Sequence, residues 1–417
     1  MAIAEFNVTS AVVQIMEVDL LKEHISVLLI CKYLTRIDLV KWSDRSVVYM
    51  TKYMVCKYFL TIVISGLFVW TGCTSDDHTA VTFTSLPESL PEQLCASDIL
   101  NDSYPFVYPE QILRYDSLLI VFDFLDRESV FHVFSDRDGR FLYSVGRKGN
   151  GPGEVIMPTS PTIDPTDRSL ALWDARQKRL VRFRLPVSSN DSVRYLDYRQ
   201  NPQNSSYFSQ IIAHDGSYYV AGHVDPLRFG KLEQDSVRVL YSDYPLLTSE
   251  DAEANRSVWN YFPCTRITRD GRKMVQSCYV GAALELFSID KDRIQSDTLL
   301  AFTPPIYRII EGTRPRWVGT IDETLLGVLD VQISDRYIYA LISQQSLTSD
   351  PLAAEGSAYI HVFDWSGRPV CRLKLSRLIE CFSVDESHGL IYGMAFDEES
   401  GEYQLLRINF NSDDFQL

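Results

Sequence analysis

The chain has 417 residues, enough for a sizeable core, and its 12% aromatic content with no long charge run or low-complexity tract marks it as a folding sequence. Forty basic residues against 55 acidic ones give a net charge of −15, with the excess scattered through the later chain. Phosphate binding needs a concentrated basic face, so no nucleic-acid partner is expected. Cys95, Cys264, Cys278, Cys371 and Cys381 form no CxxC pair and no Cys/His zinc spacing, so neither a metal nor a cofactor is expected. Cys371 and Cys381, in neighbouring strand-like runs, are read as a disulfide or as buried thiols.

Residues 1–49 precede two conventional starts, Met50 and Met54, and read as an upstream extension. A small N-terminal helical domain from Val12 to Val40 is the rival, because Leu20, Leu21, Ile25, Leu28, Leu29 and Tyr33 recur at helical spacing. Residues 50–72 read as a signal peptide: Lys52 and Lys57 lead an uncharged apolar run from Tyr58, which closes on small residues. That run falls short of the roughly 20 residues of a membrane-spanning helix. Trp70-Thr71-Gly72-Cys73 resembles the lipobox of bacterial lipoproteins, with Trp70 in place of the usual Leu. The resemblance implies lipid attachment at Cys73, and Ser75-Asp76-Asp77 is similar to the acidic export tag of Bacteroidetes surface lipoproteins. Display on the outer membrane, held there by the lipid, is the implied address.

Residues 73–100 are polar and punctuated by Pro87 and Pro91, and read as a tether. From residue 101 to 417 the pattern is short strands divided by Asp/Gly turns, a meander of hairpins. Copies opening at Ser117, Ser169, Ser217, Lys273, Arg336 and Gly389 each begin with a strand of aromatic and aliphatic residues. The stretch from His361 to Leu373 restates the stretch from Phe131 to Tyr143, with His361 and His132 at equivalent points. Shared among units of roughly 45–55 residues, this all-β chain is expected to form a β-propeller of six blades, each a four-stranded antiparallel sheet.

Gly146, Gly149, Gly151, Pro152, Gly153 and Glu154, followed by Pro158, Asp174 and Arg179, resemble an NHL-type propeller repeat. With the lipobox, the whole mature chain looks like the TolB-like six-bladed propeller lipoproteins of Bacteroidetes. The glycines permit positive φ and Pro152 stiffens the turn, so this is a structural loop. It lacks the Gly-Lys-Ser/Thr ending of a phosphate loop, and Glu154 would repel phosphate.

Arg147 and Lys148 on that loop, and Arg314, Arg316 and Trp317 in a second irregular stretch, are the candidate ligand-binding residues. No catalytic motif is present: there is no Gly-x-Ser-x-Gly and no His-Glu-x-x-His. Asp123, Asp126, Asp136 and Asp138 cluster in turns and offer the hard oxygens that hold calcium, although backbone reasons alone account for aspartate there and no metal is expected. The expected function is that of a surface lipoprotein whose propeller binds an envelope protein or an extracellular glycan or peptide, and not an enzyme. The alternative is a propeller hydrolase or lyase on a sugar or lactone, recognisable by three or more acidic or histidine side chains meeting at one channel mouth.

Overall fold

The computed structural model describes residues 81–415 apart from the short stretches 88, 187–193, 201–207, 225–226, 234–235, 248–251, 314–315 and 347–354. The expected extension, signal peptide and Cys73 lie outside the described residues, as does Arg314.

The chain enters through β1 (Glu92–Cys95) and β2 (Ser97–Asn101). Blade 1 follows as β3 (Pro109–Tyr115), β4 (Leu118–Asp123), β5 (Ser129–Ser135) and β6 (Phe141–Arg147). Blade 2 is β7 (Pro158–Asp164), β8 (Ser169–Asp174), β9 (Arg179–Arg184) and β10 (Arg194–Gln200). Blade 3 is β11 (Phe208–His214), β12 (Ser217–Val224), β13 (Leu227–Leu232) and β14 (Val237–Tyr241), after which helix α1 (Ala252–Asn260) intervenes. Blade 4 is β15 (Thr265–Ile267), β16 (Lys273–Cys278), β17 (Ala282–Asp290) and β18 (Arg293–Thr303). An inserted hairpin, β19 (Arg308–Ile310) and β20 (Trp317–Gly319), precedes blade 5: β21 (Val328–Ile333), β22 (Tyr337–Ile342), β23 (Ser357–Asp364) and β24 (Pro369–Ile379). Blade 6 has β25 (Cys381–Asp385), β26 (Leu390–Asp397) and β27 (Glu402–Asn409).

Blade 6 takes its fourth strand from the other end of the chain: β2 pairs antiparallel with β27, Ser97 opposite Ile408. β1 pairs in parallel with β24 as a fifth strand of blade 5. The chain therefore joins the disc earlier than its polar composition suggested. Of the expected tether, residues 92–100 are propeller strand, and upstream of them Thr84 N–H donates to the Ala301 carbonyl at 2.9 Å. These residues gain sheet partners that only the folded C-terminal blades supply, which local composition does not register.

The core is a ring of interfaces. Ile120 and Leu170 share a cluster joining blades 1 and 2, Trp173 and Ile211 join 2 and 3, and Phe229 and Phe287 join 3 and 4. Val275 and Ile338 join blades 4 and 5, Tyr339 and Ile391 join 5 and 6, and Tyr392 and Leu119 close the circle from 6 to 1. A sheet packed on both sides has no solvent face, so its second strand is buried on both: β8 and β22 are buried at every position, the polar Ser169 and Asp174 of β8 included. The six apolar strands anticipated from the repeats are these second strands, β4, β8, β12, β16, β22 and β26. The five cysteines are buried and free; Cys371 lies on β24, an outer strand of blade 5, and Cys381 on β25, the innermost strand of blade 6.

Polar groups weld particular blades. Asp174 accepts N–H bonds from Ile156 (2.9 Å), Met157 (3.4 Å), Arg176 (3.1 Å) and Gln177 (3.0 Å), fixing the entry to β7. Asp123 does the same for β3, taking Val107 and Tyr108 at 2.7 and 2.8 Å. Between blades 3 and 4 the fully buried Arg228 reaches Glu285 at 2.7 Å and donates twice to Gln276 Oε1, inside a wall of Trp259, Tyr244 and Phe287 rings. Removing one member of such a pair strands a charge in the core. Arg228→Met is expected to cost about 3–5 kcal/mol, read from urea unfolding, and Arg228→Met with Glu285→Leu to recover most of it.

Candidate functional site

Each innermost strand begins on the same face of the disc, where the second strand ends and the third begins. On this upper face Tyr108 and Glu110 stand at the start of β3, Glu380 immediately before β25, Glu355 just before β23 and Tyr279 just after β16. Residues from blades 1, 4, 5 and 6 thus converge at one mouth of the channel. Glu110, Glu355 and Glu380 all act electrostatically on Tyr108, and Glu355 and Glu380 also on Tyr279.

No described lysine or arginine forms an ion pair with these three glutamates. The Glu110 side chain is open to the channel yet ringed by protein. Desolvation, then the Asp123 charge, pushes its carboxyl up to about 7. Burial does the same to Glu380, also to about 7, although the Tyr403 hydroxyl donates to it at 3.2 Å. Burial likewise raises Glu355. Near neutrality the mouth therefore holds carboxyl groups poised between charged and neutral.

Aromatic rings line blade 4's share. Tyr261, Phe262 and Tyr279 form a cluster, with Phe262 5.0 Å from the first and 5.7 Å from the second, centroid to centroid. Phe262 is 65% exposed and has φ +47°, a conformation that costs a bulky side chain of order 1–3 kcal/mol. Tyr279 is positioned by a backbone crossing at two glycines: Gly327 N–H donates to the Tyr279 carbonyl at 2.7 Å and Gly281 N–H to that of Leu325 at 3.0 Å. A Cβ on Gly327 would lie 1.4 Å from the Gly281 oxygen, so no other residue fits.

The opposite mouth is electrostatically satisfied. Arg114, at the far end of β3, pairs with Asp385 at 2.7 Å and Asp136 at 3.6 Å, and His388 meets Asp385 at 2.7 Å. Midway along the channel Asp330 accepts from Phe382 N–H on β25 (3.1 Å) and from Arg266 on β15 (3.3 Å), tying three innermost strands together.

Of the residues singled out from sequence, Lys148 lies closest to this arrangement. Its ammonium donates to the Phe124 carbonyl at 3.0 Å, sits over the Phe124 ring, and lowers the Glu110 pKa. Arg147 is exposed at the end of β6. Arg316 and Trp317 belong to the inserted hairpin, where Glu253 of α1 accepts the Arg316 N–H at 2.9 Å. The glycine loop closes on itself: Glu154 Oε2 accepts the Gly151 N–H at 2.8 Å, and a Cβ on Gly149 would meet that oxygen at 2.2 Å. Gly146 and Gly153 both have φ +74°, and Arg179 donates to the Glu154 carbonyl at 2.7 Å. His132 and His361 occupy matching third strands, 1% and 5% exposed. Sequence reading missed the mouth glutamates; the signal was an acid at the entry of an innermost strand, in Pro109-Glu110 and Glu380-Cys381.

Residues 85–387 match the family model described as TolB-like 6-blade propeller-like. The fold is similar to a DUF4221 family member from Bacteroides vulgatus, at TM-score 0.54 and 10% identity, covering 80% of this chain and 99% of that one. A Bacteroides fragilis protein described as exported aligns at TM-score 0.49 and 13% identity over 80% of this chain and 100% of that one. No curated protein sequence matches.

The raised carboxyls tie stability to pH. A carboxyl whose folded pKa lies above its unfolded value stabilises the fold at low pH, and that contribution is lost as pH rises from about 4.5 through about 7. Glu110→Gln with Glu380→Gln is expected to melt above the parent at pH 8, with the gap closing towards pH 5, as read by circular dichroism.

Proposed function

Because the chain belongs to the TolB-like family of six-bladed propellers, we propose that it is an exported, lipid-anchored binding module of the outer membrane. Its upper mouth receives a polypeptide segment that presents a basic side chain among apolar ones. The observation that carries this reading is the convergence of Glu110, Glu355 and Glu380 with no described basic ion-pair partner. An arriving ammonium or guanidinium supplies the missing charge and gains cation–π contact with the rings of Tyr279 and Phe262. On the upper face Val107 (51%), Leu125 (53%) and Met157 (47%) on loops and Leu378 (43%) near the end of β24 are exposed, apolar surface suited to flanking residues. Export and anchoring are supported by the signal-like run ending in Cys73.

Fluorescence anisotropy with a labelled hexapeptide alternating Lys and Leu tests the ligand class. Binding is expected to strengthen from pH 6 to pH 8, as the mouth carboxyls ionise, and to weaken at least tenfold in Glu110→Gln with Glu380→Gln. Equal binding of the Glu/Leu counterpart, or an unchanged affinity in the double variant, overturns it. Intact mass of the membrane-extracted N-terminal peptide tests the anchor, with a triacylated Cys73 expected and an unmodified upstream chain overturning it.

A hydrolytic reading is favoured by the mark set out for it above, since Glu110, Glu355 and Glu380 meet at one channel mouth, and the two carboxyls near pKa 7 are able to serve as acid and base. Turnover of a chromogenic glycoside or lactone panel, abolished by either Glu→Gln change, would select it over binding.

A further inference from the structure

Blade 1 carries a second cluster, joined to the mouth through Asp123. Asp123, Asp126 and His132 each present one ligand-type atom, and these atoms lie within 4.8 Å of one another. Asp123 ends β4, Asp126 stands in the turn that follows and His132 sits mid-strand in β5, so the hairpin brings them together.

The His132 side chain is 2% exposed, and its Nε2 has no hydrogen-bond partner while facing Asp126 Oδ2 at 3.4 Å. On the other side of the ring Nδ1 meets the Tyr104 hydroxyl at 2.7 Å and Ser144 Oγ at 3.0 Å. With Nδ1–H donated to one of those oxygens, the Nε2 lone pair faces a carboxylate, an arrangement satisfied by a cation between them. A ring nitrogen held by an outer partner while the other binds metal is the usual support of a histidine ligand.

The spacing agrees. Nitrogen and oxygen ligands bound tetrahedrally at about 2.0–2.1 Å stand about 3.4 Å apart, matching the Nε2 to Oδ2 separation. Asp126 Oδ1 is committed to the Glu128 and Ser129 N–H groups at 2.6 and 3.0 Å, which leaves Oδ2 for an ion. Each Asp123 oxygen accepts one N–H and retains a lone pair. Lys148 opposes a cation from nearby, but its ammonium is turned to the Phe124 carbonyl and two carboxylates outweigh it.

We propose that His132, Asp126 and Asp123 bind a divalent transition ion, and that one imidazole with two carboxylates selects zinc. The ion would lock the β4–β5 hairpin from which Asp123 also fixes Tyr108 at the mouth. Zinc is titrated calorimetrically into the purified, chelator-treated protein, beside Asp126→Asn, which keeps the Oδ1 acceptor that folds the turn, and Asp98→Asn as a surface control. One zinc per chain at micromolar or tighter affinity is expected, together with a rise in melting temperature. Asp126→Asn should weaken the affinity at least tenfold and Asp98→Asn should leave it unchanged. Absence of saturable zinc binding, or wild-type affinity in Asp126→Asn, overturns the assignment.

Discussion

Every blade depends on a neighbour on each side, and that dependence is met only if the ring closes. A blade buries two faces, so an open array of six would leave the faces of blades 1 and 6 in water. Closure is made by β2 supplying the outer strand of blade 6 through its pairing with β27, and by Leu119, Tyr392 and Cys381 packing between the first and last blades. β1 adds a second fastening on blade 5, where Arg372 donates to Glu92 and to the Pro91 carbonyl. The positions of Glu110 on blade 1 and Glu380 on blade 6 relative to each other are set at this seam.

The two ends of the channel show opposite electrostatic arrangements. At the lower mouth Arg114 neutralises Asp385 across the same seam, and the pair contributes to holding it. At the upper mouth desolvation raises three carboxyls that have no basic ion-pair partner among the described residues, and Phe262, against Tyr279, is held at positive φ. Local cost tolerated in one place on an otherwise satisfied scaffold is the usual mark of a site shaped for a ligand.

The fold was legible because burial on both faces writes itself into sequence. A second strand such as Leu118 to Asp123 must be apolar at successive positions, and six such strands at regular spacing announced six blades. The glycine loop was legible because Gly149 and Gly153 answer a local backbone need that Glu154 completes. The mouth was not, because Glu110, Glu355 and Glu380 come from separate blades and each is ordinary among its chain neighbours. Basic and aromatic residues drew attention instead, and of these Lys148 has a place beside Glu110, while Arg316 is held by a helix the all-β pattern did not announce. Residues 92–100 misled for the same reason, since the partners of β1 and β2 lie some three hundred positions downstream.

That distance bears on how the molecule is made. The segment 97–101 leaves the ribosome early, yet the strand it must pair with, residues 402–409, emerges some three hundred residues later. Until then β2 is an unpaired edge strand, and blades 1 and 6 each show a bare apolar face. Contacts so far apart in the chain form slowly, and exposed edges and faces are what misassociate in the interval. The same seam that fixes the mouth therefore sets the last step of folding and makes the molecule most vulnerable just before it is complete.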